Sequence, residues 1–152
     1  MQLQDLIEQP FKQRQISQKS EFESTVHASA YWQVRMCDLA GCLERTHLPG
    51  AEVRFNLALS DPIARFLDDD APWRGLSGDY VITLGPSSGA EVGIDDALPT
   101  LTASVGAFTR LWLGVRPTTG LAVTDALSGP PALLEALDWA LRLPDPKPDW
   151  DF

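Results

Sequence analysis

Hydrophobic spacing along the chain sorts it into helices and strands. The most apolar stretch is residues 99–128. Within it Val105, Phe108, Leu111, Trp112 and Val115 recur at steps of three and four, and Ala107, Thr109 and Leu113 occupy the opposite side. Arg110 is the only charge on this helix. A helix apolar around most of its circumference is a buried helix. Ser104 stands where an N-cap belongs, and Gly114 and Pro117 end the segment. A second helical patch, Leu121, Ala122, Ala126 and Leu127, runs to Gly129.

The remaining pattern supplies strands and cover. Residues 31–36 alternate, with Trp32, Val34 and Met36 opposite Gln33 and Arg35, which predicts a half-buried strand. Asp38 caps a short helix carrying Leu39, Cys42 and Leu43 to about Thr46. Residues 51–60 are the cleanest strand: Val53, Phe55, Leu57 and Leu59 share a face, and Glu52, Arg54 and Asn56 take the other. Asp61-Pro62 then opens one or two helical turns with Ile63, Phe66 and Leu67. Residues 79–84 and 90–94 read as strands joined by the hairpin loop at 85–89, and 99–103 as a short fifth strand. Residues 131–143 form a last helix between Pro131 and Pro144, with Leu134, Leu137 and Leu141 along it. The sum is a single α+β domain with about five strands, covered by helices at 104–115, 120–128 and 131–143. Residues 1–20 hold six Gln and no sustained apolar period. The expected organisation is a Gln-rich tail or linker over 1–25 and a domain over 26–152.

Charge narrows the function. The 152 residues carry a net charge of −9, of which residues 51–152, with 7 Lys/Arg and 15 Asp/Glu, hold most. An acidic body repels phosphate backbones and anionic headgroups, which sets aside nucleic acid and electrostatic membrane docking. The first 20 residues carry charges and Gln rather than a leader's apolar run, and no uncharged window is long enough to span a bilayer. Cytoplasm is the expected location.

Catalytic vocabulary is sparse. His27 and His47 lie in no nucleophile motif, and no phosphate-binding or dinucleotide-binding glycine loop is present. Cys37 and Cys42 match no zinc or redox spacing and read as packing residues. Asp68–Asp70 read as a solvated loop, and no metal site or cofactor is expected. Arg110, alone on an apolar helix, must find a carboxylate or reach solvent. An apolar ligand pocket would draw on the same aromatic and aliphatic residues as the core.

A family resemblance gathers these pieces. YWQVRMCDLAGCLER, through Trp32, Arg35, Asp38, Leu43 and Arg45, resembles the opening of the sterol carrier protein-like domain that ends the Eis-type GNAT acetyltransferases. VRFNLALSDP, ending on Asp61, resembles its next strand, and GDYVITL the one after. LPTLTASVGAFTRLWLGVR is similar to the strand and buried helix that close on Leu111, Leu113 and Gly114, and the finish on Trp150 and Phe152 is also like the family. The resemblance spans roughly residues 30–152. It implies a mixed sheet covered by helices, and a non-catalytic carrier holding an apolar small molecule or lipid between the layers. Phe55, Leu57, Phe108, Leu111, Trp112 and Val115 are then the expected lining. It also implies an alternative in which the Phe152 terminal carboxylate serves as general base for a GNAT-type acetyltransferase partner. A structural or self-association module, forming a homo-oligomer, is the third reading. The acetyl-CoA pyrophosphate loop of such enzymes is absent from this sequence, so the chain is not expected to be an enzyme on its own.

Overall fold

Strict alternation makes β1 (Val53–Ser60) the longest strand. Its inward side chains Phe55, Leu57 and Leu59 are buried. The structure, a computed structural model, describes residues 34–144. Within them α1 (Leu39–Glu44) precedes β1. A 3-10 turn (Pro62–Phe66), β2 (Gly78–Leu84), β3 (Gly89–Val92) and β4 (Thr100–Ser104) follow it. The chain continues through α2 (Val105–Trp112), α3 (Thr118–Thr124), β5 (Leu127–Ser128) and α4 (Pro131–Ala140). The sheet order is β3-β2-β1-β4-β5, antiparallel except for β1 with β4, so the five-stranded sheet is mixed as expected.

One face of this sheet makes the core. Phe55 and Leu57 of β1, Ile82 and Leu84 of β2, and Leu101 of β4 meet Leu43, Phe108, Leu121 and Leu137 from the four helices. Each buried leucine or phenylalanine contributes about 1.5–3 kcal/mol relative to exposure. The other face is dominated by a crossing. β3 lies at one edge while β4 lies beyond β1, so the connection between them passes over β2 and β1. Asn56 holds it there. Its amide donates to the carbonyls of Asp95 and Leu98 at 2.8 and 3.1 Å and accepts from the Asp95 N–H at 2.9 Å. A residue on the strand's polar face is thus 3% exposed.

Local chemistry sets the boundaries. Asp38 and Ser104 cap α1 and α2 by accepting from the N–H groups of Gly41 and Ala107. Pro131 occupies the first turn of α4, where its missing N–H costs nothing. α2 ends where Gly114 adopts φ +65°, and a β-carbon there would lie 2.8 Å from that of Leu143.

Three expectations need correction. Of the predicted strand at 31–36, only residues 34–36 fall among the described residues, and they are outside the sheet. The Met36 N–H is spent on the Thr109 hydroxyl at 3.2 Å and Arg35 is drawn to Asp61. The fifth strand is instead Leu127–Ser128, inside the segment predicted as helix over 120–128. α3 stops at Thr124, Asp125 is extended, and Leu127 pairs with Ala103. Short apolar runs fit helix and strand alike, and here the open β4 edge decides. Finally, α2 ends at Trp112, which leaves Val115 beyond the helix. Ala107 and Thr109, on the side opposite the main stripe, are both buried, as a helix apolar around most of its circumference requires.

The crossing makes a prediction. Asn56→Ala strands an N–H and two carbonyls and is expected to lower stability by about 2 kcal/mol, measured as a reduced urea midpoint. Arg54→Ala, exposed on the same strand face, should change it by less than about 0.5 kcal/mol.

Candidate functional site at the Asp61 corner

Polar groups converge most densely where β1 ends. Asp61 is the last residue before the 3-10 turn, and its side chain has no exposed surface. Both carboxylate oxygens are occupied. Arg35 Nη2 donates to Oδ1 at 2.5 Å and to Oδ2 at 2.6 Å. The Ile63 N–H donates to Oδ1 at 3.0 Å, capping the turn, and the Leu76 N–H donates to Oδ2 at 2.9 Å. The backbone joins in: Ser77 Oγ accepts from the Asp61 N–H at 2.7 Å and donates to the Asp61 carbonyl at 3.0 Å. One aspartate therefore ties the lead-in segment, the end of β1 and both ends of the loop running from 61 to 77.

The loop itself is braced. Arg74 donates to the Asp68 carbonyl at 2.6 Å, and the Ala71 N–H reaches the same carbonyl at 3.0 Å. Gly75 has φ +89°, and a β-carbon there would sit 2.5 Å from Ile63 Cγ2 and 2.7 Å from Asp61 Oδ2. Only glycine lets the two limbs close over the carboxylate. Trp73 donates from Nε1 to the Cys37 carbonyl at 3.2 Å, and the Arg35 guanidinium lies 5.8 Å from its ring centroid. Tyr80 donates to the Leu76 carbonyl at 3.1 Å, and burial pushes its phenol pKa up.

Electrostatics fix what Asp61 can do. Burial alone would raise its pKa. The hydrogen bonds from Arg35, Ile63 and Leu76, with the Arg35 charge, outweigh that and hold the group below its ordinary 3.8. A carboxylate so enclosed, with every oxygen engaged, is a positioning group and not a base open to substrate. What the corner presents outward is the exposed edge of Arg35, the Trp73 ring and Phe66.

The sequence-predicted site residues lie elsewhere. Phe55, Leu57, Phe108 and Leu111 are 0–2% exposed and pack into the common core cluster. Trp112 is half-buried and donates from Nε1 to Thr46 Oγ1 at 2.8 Å, and Val115 is half-buried past the helix end. Arg110 finds its carboxylate in Asp125, at 2.7 and 2.9 Å. His47 Nδ1 sits 2.9 Å from the Pro86 carbonyl, as a turn residue would. Both cysteines are free thiols, and burial first, then Asp38, pushes the Cys42 thiol up. Asp68–Asp70 are exposed. Phe152 lies outside the described residues. Sequence reasoning missed Trp73, Ser77 and Gly75. The available signal was the pairing of Arg35 with Asp61, two opposite charges, one ahead of α1 and one at the end of β1.

Comparison with known proteins bears on this geometry. No family model and no curated protein matches the chain. Solved structures do match, among them two described as GCN5-related N-acetyltransferases and one described as a probable N-acyltransferase. One is a GCN5-related N-acetyltransferase from Anabaena variabilis, with 16% identity and a TM-score of 0.58, covering 74% of this chain and 26% of that one. Another, from Kribbella flavida, shows 21% identity and a TM-score of 0.58 over the same shares. A third is a conserved protein from Enterococcus faecalis described as a probable N-acyltransferase, with 23% identity and a TM-score of 0.53 over 73% of this chain and 25% of that one. The likeness establishes the fold, and the chain spans about a quarter of the length of these proteins. It also corrects the sterol carrier assignment. The structures that share this fold are described as acyl-transferring enzymes, so the reading as a non-catalytic lipid carrier is withdrawn. The terminal-carboxylate and self-association alternatives gain no better support. No helix among the described residues is long and apolar enough to cross a membrane.

The corner predicts a pH dependence. Because the folded pKa of Asp61 lies below the unfolded value, its stabilisation is present in full above 3.8 and is lost as pH falls through the folded value. Asp61→Asn is expected to be about 2–3 kcal/mol less stable than the parent at pH 7, and the gap should narrow progressively below about pH 4, read by thermal or urea unfolding.

Proposed function

We propose that this chain acts within an N-acetyltransferase of the GCN5-related kind. The supporting observation is the fold shared, over about three quarters of this chain, with three solved proteins described as acetyl- or acyl-transferring enzymes. The chain's own chemistry agrees with a share in such an enzyme more than with the whole of it. The most elaborate polar assembly among the described residues, around Asp61, is enclosed and architectural, and its exposed groups are an arginine edge and aromatic rings. Such groups suit contact with another folded surface.

The test is acetyl transfer by the native protein, isolated from its host through a tag on this domain. Transfer from acetyl-CoA to a panel of primary amines is followed as release of the free CoA thiol. Amine-dependent release at least about tenfold above the uncatalysed rate is expected, a modest demand beside ordinary enzymic accelerations. Isolated protein that releases no thiol with any acceptor overturns the reading.

A further inference from the structure

We propose that Cys37 and Cys42 form a thiol–disulfide modification site: the two sulfurs close reversibly into one bond across the first turn of α1 by exchange with a small-molecule disulfide. The site stands apart from the acyl-transfer reading and does not rest on it.

Spacing alone hides the pair. The thiols stand five positions apart, which on a continuous helix puts them on different faces. Cys37, however, lies outside the helix. Asp38 is the N-cap, in extended conformation, and its carboxylate accepts from the Gly41 N–H at 3.0 Å. Cys37 therefore occupies the position before the cap, and Cys42 the fourth helical position. Side chains at those two positions meet across a capped first turn, where an apolar pair ordinarily forms a hydrophobic staple. Here the staple is made of two sulfurs. The cap is also drawn in tightly. A β-carbon at Gly41 would collide with the Asp38 carboxylate, so glycine lets the entering chain lie close over the turn.

Both sulfurs are available. They are free thiols, Cys37 exposed and Cys42 half-buried. Cys37 Sγ makes a weak contact with the Arg35 carbonyl at 3.8 Å, which a rotation about χ1 releases. Burial first, then the Asp38 charge, pushes the Cys42 thiol up, and Cys37 adds to the same effect. The two sulfurs thus lie within electrostatic reach of each other, and Cys42 keeps its proton longer.

This divides the roles. The exposed Cys37 thiolate attacks one sulfur of the small disulfide, forming a mixed disulfide and expelling a thiolate that takes up the proton Cys37 lost. The Cys42 thiolate then attacks the Cys37 sulfur and expels the second small thiolate, which takes up the Cys42 proton. Two protein thiols are oxidised, and one small disulfide is reduced to two thiols. Closure reaches beyond the turn. The Cys37 carbonyl accepts from Trp73 Nε1 at 3.2 Å, and the preceding Met36 N–H is held by Thr109. The new bond pins α1 to the strip of chain that carries both contacts.

The chain contains only these two cysteines, so the full protein serves as it exists. Reduced protein at low concentration is equilibrated with oxidised and reduced glutathione at a series of ratios, quenched with acid, and read by intact mass and maleimide labelling. The expected product is monomeric, lighter than the reduced chain by two hydrogens, closed to maleimide and restored by dithiothreitol. Its closed-to-open ratio in native buffer is expected to exceed that of the same chain in denaturing urea by at least about tenfold, because the capped turn holds the sulfurs together. Cys42→Ser is expected to stop at a glutathione adduct on Cys37, formed at least about tenfold faster than the adduct on Cys42 in Cys37→Ser. A native ratio no higher than that in urea overturns the proposal even where a disulfide forms, since nearness in sequence then accounts for it. Parent protein that stops at glutathione adducts, or that links chain to chain, overturns it too. Equal rates for the two single variants overturn the assignment of Cys37 as the attacking thiol.

Discussion

A single carboxylate without exposed surface decides how this domain closes. Asp61 ends the longest strand, and two oxygens there collect an arginine and two backbone N–H groups. Taking a carboxylate out of water is costly, and the cost is offset only when each lone pair finds a donor. Here the donors come from three separate pieces of chain, so the requirement for satisfaction becomes a requirement for assembly. The lead-in segment, the 3-10 turn and the returning limb at Leu76 must all be in place together. Gly75 is the steric counterpart of the same condition, since any side chain there would collide with the carboxylate or with Ile63.

Most of the architecture could be read from periodicity. Four of the five observed strands and the helices at Leu39, Val105 and Pro131 lie where the pattern of apolar residues places them, and Asp38, Ser104 and Asp61 cap as their side chains suggest. Two of the failures share one cause, which is long-range pairing. Nothing local tells Leu127 that an open edge at Ala103 awaits it, or tells Met36 that the Thr109 hydroxyl will take its N–H. Thr109 stands opposite the main apolar stripe of its helix. It turns out to accept from Met36 while donating to the Val105 carbonyl, so its burial is fully satisfied. The corner around Asp61 was half readable: the two charges were visible, but the loop that wraps them has no periodicity.

The comparison with solved structures shifts the functional argument away from the core. Residues such as Phe55 and Phe108 satisfy the chemistry of a ligand pocket and of a packed interior equally, and sequence cannot separate the two. Their burial is accounted for by contact with one another. Fold alone does not carry function. What distinguishes this domain is therefore on its surface, in a braced loop with an aromatic side chain left uncovered.

The crossing pinned by Asn56 has a bearing on how the chain finds its structure. The parallel pair of β1 and β4 brings Asn56 opposite Thr100, a contact distant in sequence and entropically slow to close. Once β1, β2 and β3 have zipped into their meander, most of the intervening chain is already ordered, and the distance left to close shrinks to the few residues of the crossover. The amide of Asn56 then acts as a latch that holds β4 after it arrives. The topology favours an assembly in which the antiparallel meander is the template and β4 adds to it, since β5 has only β4 to pair with.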